Sequence, residues 1–191
     1  MLSEPILVVA RLVQAFDALG VPYLVGGSLA SSVYGVPRAT QDVDLVADLD
    51  ASHAEQIGQL LSSDFYVDVD MIREAVARRA SFNVIHLTTM FKADVFIMKR
   101  DAWAREEMSR ARQEHLDGPN GTVTIRFASP EDTLLHKLVW FRLGNEISDR
   151  QWSDIHGVLK IQGERLDREY LDRWAPVLKV ADLLERARSQ Q

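Results

Sequence analysis

Tyr23-Leu24-Val25-Gly26-Gly27-Ser28, followed fourteen residues after Ser28 by Asp42-Val43-Asp44-Leu45, is the stretch on which the reading of this chain turns. The first three residues are apolar and β-prone and read as a short strand. Gly26 and Gly27 allow a sharp turn and close approach of a ligand, and a brief helix runs from Leu29 to about Tyr34, ended by Gly35. A helix N-terminus presents unbonded N–H groups and the positive end of the helix dipole. That geometry binds phosphate, with the Ser28 hydroxyl as an added donor. The spacing is neither a Walker A loop nor a dinucleotide fingerprint. Val43 to Val46 reads as a strand, so Asp42 and Asp44 share one face while Val43 and Leu45 point into the core. Two carboxylates so placed repel each other. A divalent cation removes that cost, and Mg²⁺ takes one or two carboxylates together with phosphate oxygens. A calcium loop is excluded, because Val43, Leu45 and Val46 stand where such a loop needs polar residues or glycine.

A third aspartate, Asp94, sits inside the apolar run Phe91-Lys92-Ala93-Asp94-Val95-Phe96-Ile97-Met98. A carboxylate there is costly unless exposed or paired. Lys92 shares its face and is the simplest partner; the chemical alternative sets Asp94 beside Asp42 and Asp44. Around these residues, Ile6, Val9, Val13 and Phe16 follow the helical period in a helix opened by Ser3 and Pro5 and closed by Gly20. Ala51 to Leu61 and Met71 to Arg79 read as helices, and Phe82–Leu87 and Phe91–Met98 as strands joined by Thr88-Thr89. Asp117-Gly118-Pro119-Asn120-Gly121 reads as a hairpin loop ahead of the strand Thr122–Phe127. From Ser129 onward the pattern is helical only. Leu134, Leu135, Leu138 and Phe141 form one buried stripe, Trp152, Ile155 and Leu159 lie in the next helix, and a third begins after Asp167 and is interrupted by Pro176. The fold expected is α+β: a domain over 1–127, with a helical part, 128–191, packed on it.

At 191 residues, 47% hydrophobic and 26% charged, the chain has the composition of a packed globular protein and not of a disordered one. The absence of cysteine excludes disulfides, thiol nucleophiles and Cys-based metal sites, and the five histidines show no zinc-ligand spacing. No apolar run approaches the ~18 residues that span a bilayer, and Met-Leu-Ser-Glu lacks the basic segment of a signal peptide. A soluble, cytoplasmic chain with no membrane partner is expected. The net charge is −6, unevenly spread: residues 1–70 hold two basic against ten acidic groups, and residues 71–191 hold 20 basic and 18 acidic. Such a balance excludes bulk nucleic-acid binding. It suits a cation-binding site in the first third and equally a chance clustering of surface charge, and charge alone does not choose between them.

In combination, Val25-Gly26-Gly27-Ser28, Asp42-Val43-Asp44 and the lone Asp94 resemble the nucleotidyltransferase superfamily, the DNA polymerase β-like group. Its signature is Gly-Gly/Ser, a spacer, Asp-x-Asp and a third carboxylate. Arg38-Ala39-Thr40-Gln41 resembles the Arg-x-Thr-x-Asp-x-Asp form of small bacterial members, and Glu131-Asp132, His136-Lys137, Arg150 and Asp154 resemble later motifs of AbiEii-type nucleotidyltransferase proteins. The resemblance implies a nucleotidyltransferase-like mixed β-sheet flanked by helices. It implies Mg²⁺ or Mn²⁺ held by Asp42, Asp44 and Asp94, which are also the catalytic residues, with Asp94 helping to deprotonate an acceptor hydroxyl. The nucleotide-binding residues it implies are Gly26, Gly27, Ser28, Arg38, Thr40, Lys137 and Asp154. On the helical wheel Lys137 and Asp154 fall at the edges of apolar stripes, which suits a cleft residue and equally suits a snorkelling lysine and a solvated aspartate. The reaction implied moves a nucleoside monophosphate from an NTP to a hydroxyl of tRNA, protein or a small molecule, releasing pyrophosphate. The rival is a catalytically silent nucleotide-binding protein of the same fold, a regulator or a toxin–antitoxin component with an antitoxin partner. Metal-dependent glycosyltransferases also carry Asp-x-Asp, but the Gly-Gly-Ser turn and the short chain argue against that class.

Overall fold

The computed structural model describes residues 3–118 and 121–190. In chain order the elements are α1 (Ser3–Ala18), β1 (Tyr23–Val25), α2 (Gly27–Tyr34), β2 (Asp42–Ala47), α3 (His53–Leu61), β3 (Phe65–Tyr66), α4 (Val69–Arg78), β4 (Ser81–His86) and β5 (Lys92–Ile97). There follow α5 (Ala102–Arg110), β6 (Arg112–Gly118), β7 (Gly121–Phe127), α6 (Pro130–Leu143), α7 (Asp149–Gln162), a 3₁₀ turn, α8 (Arg168–Val177) and α9 (Ala181–Ser189). They divide into two compact units: the chain up to Gly26 with Ala39–Phe127, and Gly27–Arg38 with the chain from Ala128 onward. The expected 1–127 domain assigns Gly27–Arg38 to the sheet. In the structure this segment groups with the C-terminal helices, because α2 packs on α6 and α7. No described helix is long and apolar enough to cross a membrane.

In the sheet unit the strands form one mixed sheet in the order β3-β4-β5-β2-β1-β7-β6. β2 pairs β5 in parallel and β1 pairs β7 in parallel, while the other neighbours are antiparallel. Along β2 and β5 buried and half-buried residues alternate strictly, the signature of a strand with one face on the core. Val43, Leu45, Ala47, Ala93, Val95 and Ile97 form the covered face. α1 lies against β2, β6 and β7, and α4 against β4 and β5. The face that α1 buries is wider than the helical period suggests, taking in Val8, Leu12 and Ala15 beside Ile6, Val9, Val13 and Phe16. β3 and α5 are announced by no apolar pattern: β3 is two residues long, and α5 has little more than Ala104 and Met108 to bury. What starts α5 is a cap, the Asp101 carboxylate accepting the Ala104 N–H. β6 and β7 pair out to Gly118 and Gly121; Pro119 and Asn120 of the expected hairpin loop lie outside the described residues.

In the helical unit α6 is contacted by α2, α7 and α8. It is therefore buried nearly all round, Glu131, Asp132, Thr133 and Lys137 included, where periodicity alone predicts a single stripe. Its acids are satisfied locally. Glu131 accepts the Asp167 N–H, and Asp132 accepts from the Ser129 and Tyr170 hydroxyls. Pro176 is accommodated in the last turn of α8, which ends at Val177, and Lys179 in the left-handed region (φ 61°) leads into α9. α2 and α7 approach closely at Gly35 and Gly157. A methyl on Gly35 would stand 2.8 Å from the Ser31 carbonyl oxygen and 2.9 Å from backbone atoms of Gly157 and Val158.

Backbone atoms cannot swing aside as a side chain can, so Gly35→Ala is expected to cost about 1–3 kcal/mol, as overpacking of a filled interior does. At Gly26 a methyl meets nothing within 4 Å. Thermal melts should show Gly35→Ala well below the parent and Gly26→Ala close to it.

Candidate functional site

The parallel register of β2 on β5 sets Asp42 opposite Lys92 and Asp44 opposite Asp94. Side chains alternate along a strand, so these four share the half-buried face, while Val43, Leu45, Ala93 and Val95 fill the other. The three sequence-predicted carboxylates thus stand on one face of neighbouring strands. Lys92 Nζ donates to Asp94 Oδ2 at 2.7 Å, so the partner suggested by i, i+2 spacing is the observed one. The hydrogen bond to Asp94 raises the Lys92 pKa; burial opposes this, and the charges of Asp94, Asp42 and Asp44 add to the rise. Lys92 is held as an ammonium. The Thr40 hydroxyl lies 2.9 Å from the Asp42 carbonyl oxygen and 3.2 Å from its carboxylate Oδ1, and so steadies that side chain. On the other side of β2, the Gly26 N–H donates to the Asp44 carbonyl at 2.9 Å, which commits that amide to the backbone. Asn83 on β4 stands opposite Asp94.

The donor chemistry of Asp42 and Asp44 fits a hard divalent cation: two carboxylates side by side on one accessible face. Among the described residues no group of three or more His, Cys, Asp or Glu side chains stands together in a metal-holding arrangement. Asp94, the third ligand implied by the resemblance, is engaged by Lys92. A cation here would rest on Asp42 and Asp44, with phosphate oxygens able to complete its shell.

The other sequence-predicted residues meet in the helical unit. Gly27 occupies the left-handed region (φ 57°), which favours glycine, and α2 starts there. The Ser28 hydroxyl accepts from Arg38 Nη2 at 2.6 Å, which leaves its own hydrogen to donate. Arg38 also forks onto Asp154, Nε to Oδ1 and Nη2 to Oδ2, both at 2.8 Å. Lys137 Nζ donates to Asp154 Oδ2 at 2.8 Å. The side chains of Lys137 and Asp154 are each only 5% exposed. Neither the snorkelling lysine nor the solvated aspartate is therefore found: both groups are buried against each other, because α6 and α7 pack face to face. Burial pushes the Asp154 carboxyl up, but the hydrogen bonds and charges of Arg38 and Lys137 outweigh it and hold the group below the usual carboxylate range. The Arg38–Asp154 pair joins residues 116 apart in sequence, and no spacing signals it. The place of Lys92 among the carboxylates follows from a strand register that the sequence does not print.

Asp154→Ala would leave a buried ammonium without its anion, and a loss of about 3–5 kcal/mol in stability is expected. Because the folded-state pKa of Asp154 is depressed, its contribution is complete above the unfolded value of about 4 and is lost as pH falls through the lower folded value. Melts of parent and variant should differ by a constant amount from neutral pH down to about pH 4 and converge below it. A gap that stays constant into strong acid would contradict this assignment.

No protein-family model and no curated protein sequence matches the chain. Solved structures do resemble it. An antigenic nucleotidyltransferase-like protein from Paracoccidioides brasiliensis superposes with a TM-score of 0.53 at 18% identity, over 94% of this chain and 89% of that one. ANT(2")-Ia in complex with adenylyl-2"-tobramycin gives 0.57 at 13% identity, over 93% and 98%. JHP933 from Helicobacter pylori gives 0.51 at 18% identity, over 96% and 78%. At these identities the likeness speaks to architecture: the mixed sheet flanked by helices is a nucleotidyltransferase-like fold.

Proposed function

We propose that this chain is a metal-dependent nucleotidyltransferase, cytoplasmic and of the small AbiEii-like bacterial type. It moves a nucleoside monophosphate from an NTP to an acceptor hydroxyl with release of pyrophosphate. The observation that supports this reading best is the register of β2 on β5, which gathers Asp42, Asp44 and Asp94 on one half-exposed face of the sheet. Asp42 and Asp44 hold Mg²⁺ or Mn²⁺, and Thr40 fixes the Asp42 carboxylate for that purpose. The bound cation would supply charge neutralisation for the triphosphate and for the departing pyrophosphate. Asp94 completes the site and receives the acceptor proton on its carboxylate. Gly27 and Ser28 offer N–H groups and a hydroxyl proton to the β- and γ-phosphates. Arg38 orients the Ser28 hydroxyl, and Asp154 with Lys137 holds Arg38 in place.

A second reading has one observation in its favour. The Lys92–Asp94 pair absorbs the third carboxylate, as it would in a nucleotide-binding protein without turnover, acting as a regulator or beside an antitoxin. Incubation with each α-labelled NTP, Mg²⁺ and cell lysate separates the two. Label transferred to tRNA, protein or a small molecule supports the enzyme and identifies its acceptor; label retained only on NTP supports the binding protein.

Two variants test the site itself. Mg²⁺ with NTP should raise the melting temperature of the parent by mass action, and Asp42→Ala with Asp44→Ala should abolish that shift while the fold survives. An unchanged shift would sink the metal assignment. Asp94→Asn keeps shape and hydrogen bonding but removes basicity. Near-normal NTP affinity with transfer slowed ~10²–10⁴-fold is expected, as for loss of a positioned general base. Transfer at the parental rate would reduce Asp94 to the strand partner of Lys92.

A further inference from the structure

Two lysine–aspartate bonds of nearly equal length occupy very different settings. Lys137 and Asp154 are each 5% exposed and are locked between packed helices. Lys92 and Asp94, 2.7 Å apart on β5, have side chains 43% and 22% exposed. The Asp94 carboxylate is a short side chain on a central strand with neighbours on both sides, and it has little freedom to move. The Lys92 ammonium rides on a flexible four-carbon stem whose far end can reach water at small cost. Lys92 also stands directly opposite Asp42 in the parallel register, two residue pairs from Asp44 and on the same face. Three carboxylates and one ammonium thus share the face, and the ammonium is the component that can leave.

We propose that Lys92 is a displaceable internal counter-cation: it neutralises part of the carboxylate face in the metal-free chain, and a divalent cation binds there by releasing Lys92 from Asp94. This rests on the metal reading of Asp42 and Asp44 given above. Like charges on neighbouring strands repel in the absence of a cation. Lys92 supplies one positive charge against that repulsion, and the same charge opposes the entry of free metal. The face therefore takes its cation readily only when the metal arrives with the negative charge of a nucleotide. Removing the charge of Lys92 should make the metal-free chain less stable and its affinity for bare metal higher. A merely structural ion pair would give the first effect without the second.

The test is calorimetric titration with Mn²⁺ alone, without nucleotide, on the parent, Lys92→Met, Lys92→Gln and Lys92→Arg, with a melt of each in the presence of chelator. Lys92→Met and Lys92→Gln should bind Mn²⁺ about tenfold more tightly than the parent, since a unit charge is removed at close range. They should melt lower without metal and gain more from Mn²⁺. Lys92→Arg, which keeps the charge, should gain no affinity. Parental or weaker affinity in both neutral variants overturns the counter-cation role while leaving the metal site standing. Failure of the parent and every variant to take up Mn²⁺ overturns this proposal, and the metal reading falls with it only if Mg²⁺ with NTP also leaves the melting temperature of the parent unchanged.

Discussion

Val43 and Leu45 on β2, with Ala93 and Val95 on β5, are wholly buried, and everything chemical on the sheet follows from the register that buries them. Fully burying a valine or leucine side chain contributes roughly 1.5–3 kcal/mol. A slip of β5 by one residue against β2 would bring Ala93 and Val95 out and turn Lys92 and Asp94 into the core instead. Taking an ion out of water costs several kcal/mol even after relaxation. Apolar gain on one face and ionic penalty on the other therefore select the same register. The carboxylates are aligned with each other as a by-product of packing, before any ligand is considered. The Gly26 N–H bond to the Asp44 carbonyl then fixes where β1 ends against β2, and so where the following turn begins in the chain.

The helical unit uses charge in the opposite way. Arg38, Lys137 and Asp154 are joined by direct hydrogen bonds with the carboxylate at the centre, an arrangement that pins one position. Arg38 carries that rigidity to the Ser28 hydroxyl in the first turn of α2. Removal of Asp154 leaves the buried Lys137 ammonium with no water to receive it, and the cluster serves to fix geometry. On the sheet, by contrast, the half-exposed Lys92 can exchange Asp94 for solvent. Burial, more than bond length, separates an ion pair that holds a structure from one that can open.

Much of the sheet face was legible because strand periodicity is local: Val43 and Leu45 inward, Asp42 and Asp44 outward, and Lys92 with Asp94 sharing a side all follow from a period of two. The pairing of β5 with β2, across a gap that also contains β3 and β4, is non-local and is written in no spacing. α6 shows the complementary failure. A period of 3.6 reveals one apolar stripe, but how much of a helix is buried depends on how many neighbours it has, and α6 has α2, α7 and α8 around it. That is why Lys137 and Asp154 read as edge positions and are found buried. The grouping of Gly27–Arg38 with the C-terminal helices was hidden for the same reason, since Gly35 meets Gly157 only after the chain has returned from a long excursion through the sheet.

The acidity of the first seventy residues suits a cation site in sequence, and the structure distributes most of it elsewhere. Asp64 pairs with Arg11, Glu55 and Asp70 with Arg73, and Asp50 accepts from Ser52. Asp68 caps α4 by accepting from Asp70 and Met71 amides. Each of these acids has a local structural task and would be where it is with no ligand in view. Asp42 and Asp44 differ because their partner strand presents Lys92 and a further carboxylate in register, so a half-exposed ammonium stands among the carboxylates of that face. The information about a cation thus lies in a two-residue repeat on two parallel strands, and very little of it lies in the net charge. A chain with the same −6 and the same acidic first third, but with β5 moved one residue along β2, would bury Lys92 and Asp94 and leave Asp42 and Asp44 facing alanine and valine.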